Sequence, residues 1–187
     1  MAPAAEAGAR ALLEGKLVVH PTDTLYALAA RALDWGAVAR LVAAKGRAAG
    51  RPLSVGVSSV EELERWARPS PAARRFVRNN LPGPYTVLLP PSNEARRDLP
   101  PEVAAGPTIG LRVPDHALAR ELARRAGPLV ATSANRSGTA PVRRLAGVRA
   151  TFGAAVAEYL DTPPRPSGHP SVVVDLRGSR PKEVPRQ

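Results

Sequence analysis

The sequence predicts an α/β fold, and three observations carry that expectation. Short apolar runs alternate with segments of helical periodicity along the chain. Prolines border those runs, at Pro21, Pro52, Pro84, Pro90, Pro114, Pro128 and Pro170, where a missing N–H removes no internal ladder bond. The 187 residues, 44% of them hydrophobic, suffice for one domain over 1–187 with a core of its own.

Taken in order, Met1 to Glu14 has the spacing of a short amphipathic helix that runs into Gly15. Leu17–His20 is a strand that stops at Pro21. Asp34 caps a helix through Ala44, with Gly46 as its terminator. Leu53–Val57 is a strand, and Ser59 with Glu62 makes a capping box for a helix to Ala67. Pro71–Leu81 is helical; Tyr85–Leu89 and Thr108–Val113 are strands. Asp115 is placed to cap a helix with Leu118, Leu122 and Ala126 on one side, ending at Gly127. Leu129–Thr132 is a strand, Val142–Arg149 and Phe152–Glu158 are short helices, and Ser171–Leu176 is a buried strand. Glu183–Gln187 pairs at an edge.

Composition narrows the chemistry. No cysteine is present, which excludes disulfides, thiolate ligands and a cysteine nucleophile, and fits a cytoplasmic protein. No run approaches the roughly 18 apolar residues of a membrane span, and the N-terminus lacks the pattern of a signal peptide. The net charge of +11 is almost all arginine, with lysine only at positions 16, 45 and 182. That charge suits an anionic partner such as a nucleotide or RNA; a base composition that favours arginine codons accounts for it equally well. No phosphate-loop lysine motif, dinucleotide fingerprint, HExxH or GxSxG segment occurs, and the three histidines are scattered.

Five polar clusters stand at predicted strand or helix ends, where α/β proteins place their sites. Thr22-Asp23-Thr24 follows the first strand and reads either as a helix N-cap or as a binding turn. Lys45-Gly46-Arg47 with Arg51 reads as dipole complementation at a helix end or as a clamp for a polyphosphate. Ser133-Ala134-Asn135-Arg136-Ser137-Gly138 is an Ser/Asn turn or a nest for phosphate and ribose oxygens. Arg112 lies in an apolar strand and needs an anionic partner, for which a substrate carboxylate is a candidate. Ser171 opens the late strand. Residue chemistry by itself reaches an α/β domain with a basic, anion-binding cleft.

These clusters, in this order and spacing, resemble the YrdC/Sua5/TsaC family of threonylcarbamoyl-adenylate synthases. Pro21–Tyr26 is similar to its PTDTxYGL segment, and Lys45 to Arg47 with Pro52-Leu53 to its KxRP…PL segment. Pro82-Gly83-Pro84 with Thr86 is similar to its PGPxT turn, and Thr108–Pro114 to its arginine-bearing strand. Ser133–Gly138 and Ser171–Asp175 are similar to its SxN…SG loop and its S-[TE]-[IV]-x-D strand.

The resemblance implies a twisted mixed sheet flanked by helices, similar to the DHBP synthase fold, with a basic cleft, in the short single-domain form. It implies carboxylation of the threonine amine by bicarbonate and transfer of the carbamate to AMP from ATP, for the t6A modification of tRNA adenosine 37. Magnesium would travel on the phosphates, with no metal ligand from the protein. Carried over by position, Lys45, Arg47, Ser133 and Asn135 are the catalytic polar set. Arg47, Arg51, Thr108, Ser133 and Arg186 match ATP positions, and Thr24, Arg112, Ala131 and Ser171 match L-threonine positions. The family also implies transfer proteins acting later, and tRNA or double-stranded RNA as a further partner. Departures fall at Ala27, Ala48, Arg51, Gly56 and Val172; Gly56 stands where many members carry histidine. Two other readings compete: a divergent relative with another substrate, and an RNA-binding module without catalysis.

Overall fold

Nine strands pair into one mixed sheet in a computed structural model that describes residues 1–46 and 53–185. In chain order they are β1 (Val18–Pro21), β2 (Tyr26–Arg31), β3 (Ser54–Gly56), β4 (Tyr85–Leu89), β5 (Ile109–Arg112), β6 (Leu129–Ser133), β7 (Glu158–Tyr159), β8 (Val172–Asp175) and β9 (Lys182–Val184). Their spatial order is β7-β1-β2-β6-β3-β5-β4-β8-β9. Parallel pairs (β1–β7, β3–β5, β4–β8) are interleaved with antiparallel ones, so the α/β expectation holds and the mixed sheet implied by the resemblance is present. The helices are α1 (Ala2–Leu13), α2 (Trp35–Lys45), α3 (Val60–Trp66), α4 (Pro71–Asn80), α5 (Asn93–Asp98), α6 (Pro101–Ala104), α7 (Ala117–Ala126) and α8 (Leu145–Phe152). Among the described residues no helix is long and apolar enough to cross a membrane.

Strand alternation sorts the core into two layers. Val19, Leu28, Ala30, Val55, Leu111 and Val130 join the larger apolar cluster, with side chains from α2, α3, α4, α5, α6 and α8. Their strand neighbours Val18, Ala29 and Leu129 join the smaller one, with Ala5, Ala9 and Leu12 of α1 and Leu118, Leu122 and Ala126 of α7. Helices therefore pack on both faces.

Local chemistry explains several ends. Asp34 accepts a bond from the Ala37 amide at 2.9 Å, and Gly46 closes α2 in the left-handed region at φ 60°. Ser59 caps α3 through the Glu62 amide, but the Glu62 carboxylate takes Ser58 N–H and Oγ–H instead of completing the box on Ser59.

Other expectations change. Asp115 does not cap α7: its carboxylate pairs with Arg120, and His116 is the N-cap residue, whose side chain makes no capping bond. The predicted helix over Phe152–Glu158 is a 3-10 turn at Gly153–Ala155 followed by β7, which adds to the edge of β1. β1 ends at Pro21, which is its last residue; β7 reaches only Val18 and Val19, so the missing N–H has no ladder partner to lose. Strand β2 and helices α5 and α6 were not foreseen by pattern; β2 is largely alanine and buried on both faces.

Candidate active site

The site face of the sheet follows from register. Gly56 opposes Arg112 on one side and Leu129 on the other, while Ser54 opposes Gly110. Residues two apart share a face, so Ser54, Gly56, Gly110, Arg112, Ala131 and Ser133 continue the face that α1 and α7 cover at Leu129. Most of these side chains are small, and Ser54, Gly56, Ala131 and Ser133 stay partly exposed. Among the described residues, a Cβ added at Gly56 would meet only the Leu129 carbonyl at 3.8 Å and Ala131 Cβ at 3.9 Å. One added at Gly110 would lie 2.8 Å from Ser54 Oγ, so the Ser54 side chain closes the floor there.

The β1–β2 turn supplies polar groups over this face. Thr22 organises it: its buried hydroxyl donates to the Leu25 carbonyl at 2.6 Å and accepts from the Thr24 and Leu25 amides at 3.2 and 3.1 Å. The Thr-Asp-Thr segment is thus a strand-to-strand turn, and the helix-cap reading fails because a strand follows it. Arg112 reaches the turn, donating through Nη1 to Thr24 Oγ1 at 2.7 Å, through Nη2 to Asp23 Oδ1 at 2.6 Å and through Nε to the Gly83 carbonyl at 3.3 Å. Burial pulls the Arg112 guanidinium below the ordinary arginine pKa, with Asp23 opposing that shift. The anionic partner expected for Arg112 is therefore present within the chain. Beyond Arg112, Thr86 of β4 bonds Ser171 Oγ at 2.8 Å, and both side chains are buried.

A strap after β7 lies against the same turn. Ser167 N–H donates to the Asp23 carbonyl at 3.1 Å and Gly168 N–H to the Thr24 carbonyl at 2.8 Å. Tyr26 anchors its start, donating to Asp161 Oδ1 at 2.8 Å; burial and that carboxylate push the phenol up to about 12.

The second cluster forms where α2 ends beside the loop after β6. Lys45 is 3% exposed, and its Nζ donates to the Ser133 carbonyl at 2.7 Å. The Lys45 carbonyl accepts from Ser137 N–H at 3.0 Å. Asn135 closes the loop, its Nδ2 donating to the Arg136 and Thr139 carbonyls at 3.0 and 2.6 Å. Its Oδ1 is buried and has no hydrogen-bond partner among the described residues. Both halves touch at β2: the Ala134 amide donates to the Tyr26 carbonyl at 2.8 Å, one residue from Leu25 in the turn.

The structure thus gathers the sequence-predicted residues into two groups, Lys45 with Ser133 and Asn135, and Thr24 with Arg112. Ser171 sits with Thr86 on the strand pair next to Arg112, and Ala131 lies beside Gly56. Thr108 is half-buried just before β5, about 13 Å along the strand from Arg112. Arg47, Arg51 and Arg186 lie outside the described residues. Sequence reasoning assigned no role to Asp23 or Thr86. Asp23 carried a usable signal, as a carboxylate within a polar cluster that could answer a buried arginine. Thr86 carried a signal as the threonine of the PGPxT-like turn, to which no role was attached. Among the described residues no group of three or more His, Asp or Glu could hold a metal ion.

The family model for Sua5, YciO and YrdC proteins, described as telomere recombination, matches residues 10–187. The threonylcarbamoyl-AMP synthase of Chromohalobacter salexigens is 37% identical over 169 residues, covering 89% of each chain. That of Bacillus subtilis is 37% identical over 172 residues, covering 90% of this chain and 49% of its own. The crystal structure of P. abyssi Sua5 complexed with L-threonine superposes with a TM-score of 0.86 at 33% identity, covering 96% of this chain and 52% of that one. The chain thus spans about half the length of the latter two proteins.

Proposed function

The chain belongs to the Sua5/YciO/YrdC family, and from that premise we propose that it is an L-threonylcarbamoyladenylate synthase, a nucleotidyltransferase. Its reaction joins L-threonine, bicarbonate and ATP into threonylcarbamoyl-AMP and pyrophosphate, for t6A37 formation in tRNA. The observation that carries this reading is the meeting of Arg112 and Thr24, 88 residues apart in sequence, beside Thr86 and Ser171 over a floor of small residues. A relative that superposes on 96% of this chain is complexed with L-threonine.

In this reading Thr24, Arg112, Ala131 and Ser171 hold threonine. Arg47, Arg51, Thr108, Ser133 and Arg186 hold ATP, whose phosphates carry magnesium. The threonine nitrogen bonds the bicarbonate carbon as water leaves. A carbamate oxygen then attacks the α-phosphorus, and the bond to the pyrophosphate oxygen breaks. No protein nucleophile is required, because the carbamate is the nucleophile. The protein's task is to position the reactants and stabilise charge on the transferring phosphoryl group. Lys45, Arg47, Ser133 and Asn135 suit that task, and burial at Lys45 strengthens its field. The net charge of +11 supports tRNA or double-stranded RNA as a further partner, with later transfer proteins consuming the product in the cytoplasm.

The test is pyrophosphate release from ATP with each amino acid, with and without bicarbonate. Release that requires both threonine and bicarbonate is expected. Release indifferent to bicarbonate, or faster with another amino acid, would move the chain to the divergent-substrate reading.

A further inference from the structure

We propose that His116, at the N-terminus of α7, is a positioning residue for the reaction: through Pro164 it seats the strap after β7 against the β1–β2 turn. The proposal rests on the reading above for the substrate it names. His116 is 1% exposed and occupies the N-cap of α7, yet its side chain makes no capping bond. Serine, threonine, asparagine or aspartate at that position would stabilise the helix more. The ring reaches instead to a residue 48 positions away, with Nε2 3.1 Å from the Pro164 carbonyl. A carbonyl only accepts, so Nε2 is the nitrogen that carries a proton.

The composition of the strap explains why it needs a donor from outside. Pro163, Pro164 and Pro166 leave three of the residues 161–166 without an N–H, so this stretch offers chiefly carbonyls. Tyr26 holds its start at Asp161, and His116 holds its middle at Pro164. The amides that follow, of Ser167 and Gly168, donate to the Asp23 and Thr24 carbonyls at 3.1 and 2.8 Å. Thr24 Oγ1 in turn accepts from Arg112 Nη1 at 2.7 Å. Contacts therefore run without a break from α7 through the strap to the turn and Arg112. Without the Pro164 bond the strap is free between Asp161 and Ser167, and its two amides lose their fixed direction toward the turn. His116 itself acts only through these groups.

The test pairs His116→Asn with His116→Gln, both neutral amides. Asparagine caps α7 well but places its nitrogen near the Nδ1 position, short of Pro164; glutamine places its nitrogen near the Nε2 position. Hydrogen exchange of the Ser167 and Gly168 amides, melting temperature, and pyrophosphate release against threonine and against ATP are measured for wild type and both variants. In His116→Asn the two amides should exchange roughly tenfold faster. The threonine concentration for half-maximal release should rise roughly threefold to tenfold, the effect of one neutral hydrogen bond, with ATP dependence and melting temperature near wild type. His116→Gln should restore both the exchange rate and the threonine dependence. Wild-type exchange in His116→Asn, an unchanged threonine dependence, an equal loss toward ATP, or no recovery in His116→Gln each overturns the proposal. Should His116→Asn fail to fold, the nitrogen-15 spectrum of the wild-type ring decides: a proton on Nε2 is expected, and its absence overturns the bond to Pro164. A wild type that uses another amino acid in place of threonine overturns the threonine reading alone; the same comparison, made with that amino acid, still decides the role of His116.

Discussion

Arg112 shows how one side chain joins distant segments. Its planar fork holds Gly83, Thr24 and Asp23 at once, in directions that a lysine ammonium on a flexible stem cannot reproduce. Arg112→Lys is therefore expected to raise the threonine concentration needed for half-maximal adenylate formation by tenfold or more, while ATP affinity stays near wild type. An unchanged threonine dependence would take Arg112 out of the substrate site. The neighbouring cluster is held differently. Lys45 and Asn135 spend their donors on the backbone of the loop they share, so they shape that loop as well as lining it. Lysine is scarce in this chain, and position 45 was identifiable for that reason; that its Nζ reaches the Ser133 carbonyl, 88 residues on, was not.

At the scale of elements, the β1–β2 turn connects stability to the site. Thr22 Oγ1 satisfies two amides and one carbonyl in a buried position and stands 3.0 Å from Thr24 Oγ1. Thr22→Val keeps the volume and strands the Thr24 and Leu25 amides, at a cost of about 1–3 kcal/mol. The same change releases Thr24, so the denaturation midpoint and the threonine dependence should worsen together. A variant that loses stability but keeps its threonine dependence would separate the turn from the site. Helix ends were legible because capping acts within three or four residues, as at Asp34 and Gly46. The same logic misplaced Asp115, whose carboxylate had Arg120 within reach as a competing partner.

For the whole molecule, acid sensitivity follows from one buried ring. His20 is 2% exposed, on the row that runs through Ala27 to Ser133. Burial pushes its pKa from 6.5 down to about 4. Between those values the unfolded chain binds a proton that the folded chain refuses. Stability is then full above about pH 6.5 and falls as the pH drops toward 4, by about 3 kcal/mol over that window. His20→Phe should flatten the dependence of melting temperature on pH between 6.5 and 4. An equal slope in both proteins would assign the effect to other groups.

Sequence by itself determined the α/β class, most helix and strand positions outside β2, and the identity and order of the polar clusters. Those features depend on periodicity, capping and turn chemistry, which act over a few neighbouring residues. Tertiary structure alone decided which residues meet. β2 is half alanine and has no β-branched residue, and it is a strand because β1 and β6 satisfy its backbone on both sides. Ser171 finds Thr86 only because β8 adds parallel to β4. The choice of Asp23 for Arg112, 89 residues away, is set by the turn that Thr22 holds over the sheet. Burial makes an arginine require a carboxylate, but chain topology selects which carboxylate arrives.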